Sequence, residues 1–126
     1  MTNFLFDTNV LLWYFWGSPR VESVRELAAS VEADVYFSTV SLWETAIKAR
    51  SGKLNVDVNE LLLYAKRYNF RELPVTSQFL KVYLELPNLH KDPFDHMLLA
   101  QAISCPMRLI TGDERLAKYS SLVMVV

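Results

Sequence analysis

The sequence predicts an α/β fold, a three-layer α/β/α sandwich around a central, mainly parallel sheet. Three observations predict it. Short apolar runs rich in β-prone residues alternate with longer stretches of helical spacing, which is the pattern of strands joined by helical crossovers. Such crossovers imply parallel pairing and a right-handed path that covers both faces of the sheet. The first apolar run also stops abruptly on a carboxylate, Asp7, and open parallel sheets bind ligands outside the carboxyl ends of their strands.

In chain order, Phe4 to Phe6 is a buried strand halted by Asp7-Thr8-Asn9. Asn9 to Trp16 is a short helix stopped by Gly17-Ser18-Pro19, and Arg20 to Glu32 is a helix with Val21, Val24, Leu27, Ala28 and Val31 on its apolar face. Val35 to Phe37 is the second strand. Ser41-Leu42-Trp43-Glu44 opens a helix that runs to Ser51-Gly52, and Asp57 to Glu60 opens another through Leu61 to Ala65. Arg71 to Val75 contains Pro74 and is expected as an edge strand or extended link. Thr76 to Leu86 is helical and ends before Pro87. A further helix starts at Asp92-Pro93, with Asp92 as cap and proline in the first turn, and is broken by Pro106. Met107 to Ile110 is a strand ending in Thr111-Gly112-Asp113-Glu114, and a helical turn through Tyr119 leads to the last strand, Leu122 to Val126.

With 126 residues, 52% hydrophobic and 21% charged, the chain is expected to be one domain over residues 1–126 with a single filled core. Its net charge of −1 argues against a broad basic nucleic-acid surface, but not against an acidic pocket rimmed by a few cations. A single cysteine, Cys105, excludes an internal disulfide and a cysteine-based zinc site. No basic-then-apolar signal sequence is expected at the start, and no apolar run approaches the roughly 18 residues that span a bilayer. A cytoplasmic location is expected. Leu11 to Trp16 reads as buried helix first and as an association surface second.

Four acids stand out by position. Asp7 and Asp113 end hydrophobic strands, while Glu44 and Asp95 lie in the first turns of helices, so all four share one rim of a doubly wound sheet. Such a cluster needs a counter-charge, and hard oxygen donors without cysteine select Mg2+ or Mn2+. Each helical acid also has a local explanation. Ser41-x-x-Glu44 is a capping box, Asp95 lies at a helix N-terminus, and Glu44 with Lys48 is an i,i+4 pair. Asp7 and Asp113 have no such helix-face explanation, and Gly112 permits close backbone approach beside Asp113.

Leu5-Phe6-Asp7-Thr8-Asn9, Ser41-Leu42-Trp43-Glu44, the run from Asp92-Pro93-Phe94-Asp95 to Ala102, and Thr111-Gly112-Asp113 resemble the four signature blocks of PIN-domain nucleases. The nearest likeness is to VapC-like toxins of bacterial type II toxin–antitoxin systems, and it runs from the first strand to the last. The resemblance implies a PIN-like sandwich and a metal-dependent endoribonuclease in which Asp7, Glu44, Asp95 and Asp113 are catalytic and hold Mg2+ or Mn2+. None of the four is substituted. It also implies a cognate antitoxin whose C-terminal segment covers the cleft, and a toxin homodimer.

Around these acids, Thr8, Asn9 and Thr111 are candidates for orienting ligands, and Asp92 for assisting the metal besides capping its helix. Lys48, Arg50, Lys53, Lys91 and Arg115 are candidate RNA contacts by proximity to the motifs. His96 reads as a partly exposed bystander and His90 as a loop residue. Two alternatives stand beside the nuclease. One is a catalytically silent PIN-like binding or regulatory domain in which the acids are only caps. The other is a haloacid-dehalogenase-like phosphatase with Asp7 as nucleophile, against which Asn9 stands where those enzymes usually carry a second aspartate.

Overall fold

The computed structural model describes residues 2–88 and 92–126, so the expectations placed on His90 and Lys91 lie outside the described residues. At the centre of the sheet is β1 (Thr2–Phe6), paired on one side with β2 (Ala33–Ser38) and on the other with β4 (Arg108–Thr111). The edges are β3 (Arg71–Leu73), beside β2, and β5 (Val123–Val125), beside β4. All pairs are parallel, and the order is β3-β2-β1-β4-β5. Strand order reverses between β1 and β4, so a crevice opens at their carboxyl ends, where Phe6 pairs with Ile110.

The side-chain period of two explains the layers. On one face, Phe4 and Phe6 of β1 join Val35 and Phe37 of β2 beneath α1 (Thr8–Trp16), α2 (Glu22–Ala29) and α4 (Val58–Arg67), which supply Leu11, Val24 and Leu61. On the other, Leu5 and Leu109 pack under α6 (Pro93–Ser104) through Leu98, Leu99 and Ala102. Val40 of α3 (Thr39–Arg50), Phe79 of α5 (Ser77–Glu85) and Met97 of α6 close a third apolar group. Both faces of the central strands are therefore covered, as parallel sheets require. Among the described residues, no helix is long and apolar enough to cross a membrane.

The fold class is the expected one, with local differences. The helix expected over Arg20 to Glu32 is a 3-10 turn (Pro19–Val21) followed by α2, which stops at Ala29. Ser30 is extended, and Ala33 N–H and Thr2 N–H bond to the carbonyls of Ser30 and Glu32, so the chain has already turned into the sheet. Val31, in register with the helical stripe, is left 96% exposed. The edge strand ends at Leu73, before Pro74, which has no N–H to donate. Gly17 closes α1 in the left-handed region at φ 69°, its N–H directed to the last carbonyls of the helix.

Leu11 to Trp16 is largely interior, as its first reading expects. Leu11, Leu12 and Tyr14 are buried, Phe6 stacks on Tyr14 with centroids 4.9 Å apart, and the Tyr64 hydroxyl donates to the Tyr14 carbonyl at 2.9 Å. Only Trp16 of that run is exposed. The apolar side chains most open to solvent lie elsewhere, among them Leu84 on α5 and Trp43 on α3.

Candidate active site

Five carboxylates reach one cleft at the β1/β4 crevice. It has a volume of about 160 Å³ and is lined by Asp7, Thr8, Asn9, Glu44, Lys48, Asp92, Asp95, Asp113 and Arg115. The apolar runs of β1 and β4 bring the chain to the rim, and Asp7 N–H donates to the Ile110 carbonyl at 3.0 Å, locking the two strand ends together. The first turn of α6 delivers Asp95 to the same rim, whereas Glu44, expected in a first turn, comes from the second turn of α3, because that helix starts earlier, at Thr39. Larger cavities exist, including one of about 690 Å³ between the ends of α2, β2 and α4, but that cavity gathers no comparable group of acids.

Asp7 is the most constrained of these acids. It is the N-cap of α1: Oδ1 accepts from Val10 N–H at 2.9 Å, while Oδ2 accepts the Thr111 hydroxyl. Burial pushes its carboxyl from the ordinary 3.8 up to about 7, and Asp95 and Glu44 add to the rise. The Thr111 and Val10 hydrogen bonds work in the opposite direction. Glu44 is also buried and accepts from Lys48 Nζ at 3.0 Å, the expected i,i+4 pair. Asp113 accepts from Arg115 three times: from its backbone N–H, from Nε at 3.0 Å and from a terminal guanidinium nitrogen at 2.8 Å. Asp92 caps α6, accepting from Phe94 N–H at 2.9 Å and Asp95 N–H at 3.3 Å.

The four sequence-predicted acids all line the cleft, together with Thr8, Asn9, Asp92, Lys48 and Arg115. Thr111 stands just behind it as a link, donating to Asp7 and accepting from Asp113 N–H at 3.0 Å. Arg50 and Lys53 are exposed beyond the cleft, at the end of α3 and in the following turn. Lys91 is outside the described residues.

Three local readings are corrected. The capping box is absent, because α3 starts at Thr39 with Ser38 as its cap, accepting from Val40 N–H at 3.1 Å. Ser41 is instead fully buried inside the helix and accepts the Thr8 hydroxyl at 3.0 Å, tying α1 to α3 behind the acids. Sequence reasoning missed that role because the run Ser38-Thr39-Val40-Ser41 offers three hydroxyls, each able to cap. Asp7 and Asp113 do have local roles, as caps of α1 and of the 3-10 turn Glu114–Lys118. His96 is buried rather than partly exposed, edge-on to Tyr83 and Tyr119, with Nε2 3.4 Å from the Tyr119 hydroxyl.

The model of the PIN domain family matches residues 4–122. This chain belongs to the PIN-domain family. The match removes the haloacid-dehalogenase reading and covers every block that carried the resemblance. Among solved structures, this PIN domain is similar to the VapBC2 complex of Rickettsia felis bound to promoter DNA, at a TM-score of 0.77 and 14% identity over 99% of this chain and 98% of that one. It is also similar to a toxin–antitoxin complex from Klebsiella pneumoniae, at 0.69 and 19% identity over 96% and 95% of the two chains. A third neighbour is FitAcB from Neisseria gonorrhoeae, at 0.64 and 20% identity over 96% of each chain. At these identities the likeness is one of fold. No curated protein sequence matches significantly.

PIN domains are nucleases that generally use divalent metal ions. The donor set here suits such an ion: among the described residues, the cleft offers carboxylate oxygens from five acids against two cations, with no thiol or imidazole on its wall. Among the described residues, no three His, Cys, Asp or Glu side chains are already gathered at coordinating distance, and Glu44 and Asp113 are turned toward Lys48 and Arg115.

Proposed function

We propose that this PIN-domain protein is a metal-dependent endoribonuclease that hydrolyses RNA phosphodiester bonds and serves as the toxin of a type II toxin–antitoxin pair. The observation that carries the reading is the carboxylate cleft at the reversal of strand order, with a buried Asp7 whose ionised form is costly unless a cation joins it. Asp7, Asp95 and Asp113 are the proposed ligands of Mg2+ or Mn2+, and Glu44 helps to hold the ion or to orient water. When bound, such an ion makes water a better nucleophile and offsets the charge that develops on the phosphate.

The chain's own residues supply the rest. Thr111 orients Asp7 through its hydroxyl and anchors the Asp113 backbone, while Thr8 holds α1 against α3 through Ser41. Asn9 faces the cleft at the start of α1, and Asp92 fixes the first turn that carries Asp95. Lys48 and Arg115 sit on the cleft wall and are placed to take phosphate oxygens once their carboxylates engage a metal. Arg50 and Lys53, exposed beyond the cleft, are proposed as further RNA contacts. Single-stranded or looped RNA is the proposed substrate, because a splayed backbone enters a narrow cleft more readily than a duplex.

The structural neighbours are complexes with antitoxins, and the sequence blocks resemble VapC-like toxins, so a cognate antitoxin is the proposed partner and the cytoplasm the proposed compartment. A cationic side chain from that partner in the acidic cleft would compete with metal. A homodimer is part of the same proposal. A second reading, a silent binding domain over the same 126 residues, draws on the caps and ion pairs that occupy Asp7, Glu44, Asp92 and Asp113. Incubating the purified protein with matched RNA and DNA pools, with Mg2+ or Mn2+ and with EDTA, separates the two. RNA cut only with metal supports the nuclease; no cleavage of either pool and no metal binding by the folded chain supports the silent domain.

A further inference from the structure

Gly112 lies between Thr111 and Asp113, and its backbone is outside the left-handed region that calls for glycine. Space calls for it instead. A Cβ at this position would stand 2.5 Å from Cη2 and 3.0 Å from Cζ3 of Trp13, closer than real side-chain carbons approach. The outer edge of the indole is therefore pressed against the bare backbone of the turn. The ring is itself held: the Arg20 guanidinium lies 3.9 Å from the ring centroid, and the Trp13 carbonyl accepts from Ser18 N–H at 2.8 Å as α1 ends.

The turn so braced is the one that carries the site. Thr111 reaches Asp7 through its hydroxyl and accepts the Asp113 N–H, and Asp113 lines the cleft. A shift of Gly112 by a few tenths of an ångström would move both links together. We propose that Trp13 is a positioning residue of this PIN domain: wedged against Gly112 and backed by Arg20, its ring fixes the Thr111–Asp113 turn and thereby sets the Asp113 carboxylate relative to Asp7. Trp13 touches no substrate in this role. The proposal rests on the reading of the cleft as a metal site, and it assigns a function to a tryptophan that the apolar patterning of α1 treats as core.

The test is the affinity of the full-length protein for Mn2+ or Mg2+ by titration calorimetry, with folding checked by circular dichroism. Gly112→Ala is expected to weaken binding by roughly 10-fold to 100-fold, the range for losing a group that orients a metal ligand. Adding Trp13→Phe, which removes the ring atoms that the new methyl meets, is expected to recover most of the loss. A merely structural role would lower stability without this reciprocal recovery. Wild-type affinity in Gly112→Ala, or no recovery in the double variant, would overturn the proposal. Should Gly112→Ala not fold, Trp13→Phe alone decides: a several-fold weaker affinity supports the brace and an unchanged one removes it. If the wild-type chain binds no divalent ion, the metal-site reading itself fails, and the positioning role with it.

Discussion

Asp7 caps a helix with one oxygen, accepts a hydroxyl with the other, and is buried beside Glu44 and Asp95, so its charge is costly in the absence of a cation. Its folded pKa of about 7 lies above the ordinary 3.8. The stability associated with the protonated group is therefore fully present below about pH 4 and is lost as pH rises through about 7. At pH 8, Asp7→Asn is predicted to stabilise the chain against urea, by up to about 4 kcal/mol from a shift of roughly three units. At pH 5 the gain is predicted to be much smaller. Added Mg2+ is predicted to raise the stability of the wild type but not of the variant. Asp113 differs, because Arg115 already supplies its counter-charge. Position flagged both strand-end acids in the sequence, but the Thr111 link between them depends on β1 and β4 being neighbours, which no local pattern shows.

At the scale of elements, the site is an assembly of caps. Asp92 holds the first turn of α6, and Asp92→Ala is predicted to cost about 1 kcal/mol in chemical denaturation while also lowering metal affinity, because Asp95 rides on that turn. Removing the buried Thr8–Ser41 hydrogen bond by Ser41→Ala is predicted to cost roughly 0.5–1.5 kcal/mol by the same measurement. Strands and most helices were legible because apolar runs and helical spacing are set by burial on two covered faces. The errors have physical causes. The stripe ending in Val31 continues past the point where the chain must leave α2 to enter β2. Adjacent hydroxyls made the α3 cap ambiguous, and its true cap frees Ser41 for a contact across helices. The Trp13–Gly112 contact joins distant segments and has no sequence signature beyond the glycine itself.

For the molecule as a whole, two covered faces of one parallel sheet hold five carboxylates at its reversal point, and the core sets their spacing. Leu98, fully buried between α6 and the sheet, joins the face beneath Asp95, and Leu98→Ala is predicted to cost about 2–5 kcal/mol of unfolding free energy. Sedimentation at micromolar concentration is predicted to show a dimer, and a monomer with no co-purifying partner would count against the assembly proposed here. Asp7, Glu44, Asp95 and Asp113 are proposed to act together as one metal-dependent site on RNA. Single-turnover cleavage of one RNA by wild type and by Asp7→Asn, Glu44→Gln, Asp95→Asn and Asp113→Asn, each folded by circular dichroism and saturated with Mg2+ or Mn2+, tests it most directly. Every variant is predicted to slow by roughly 100-fold or more, as expected when transition-state charge stabilisation is removed. Folded variants that cleave at the wild-type rate would contradict it.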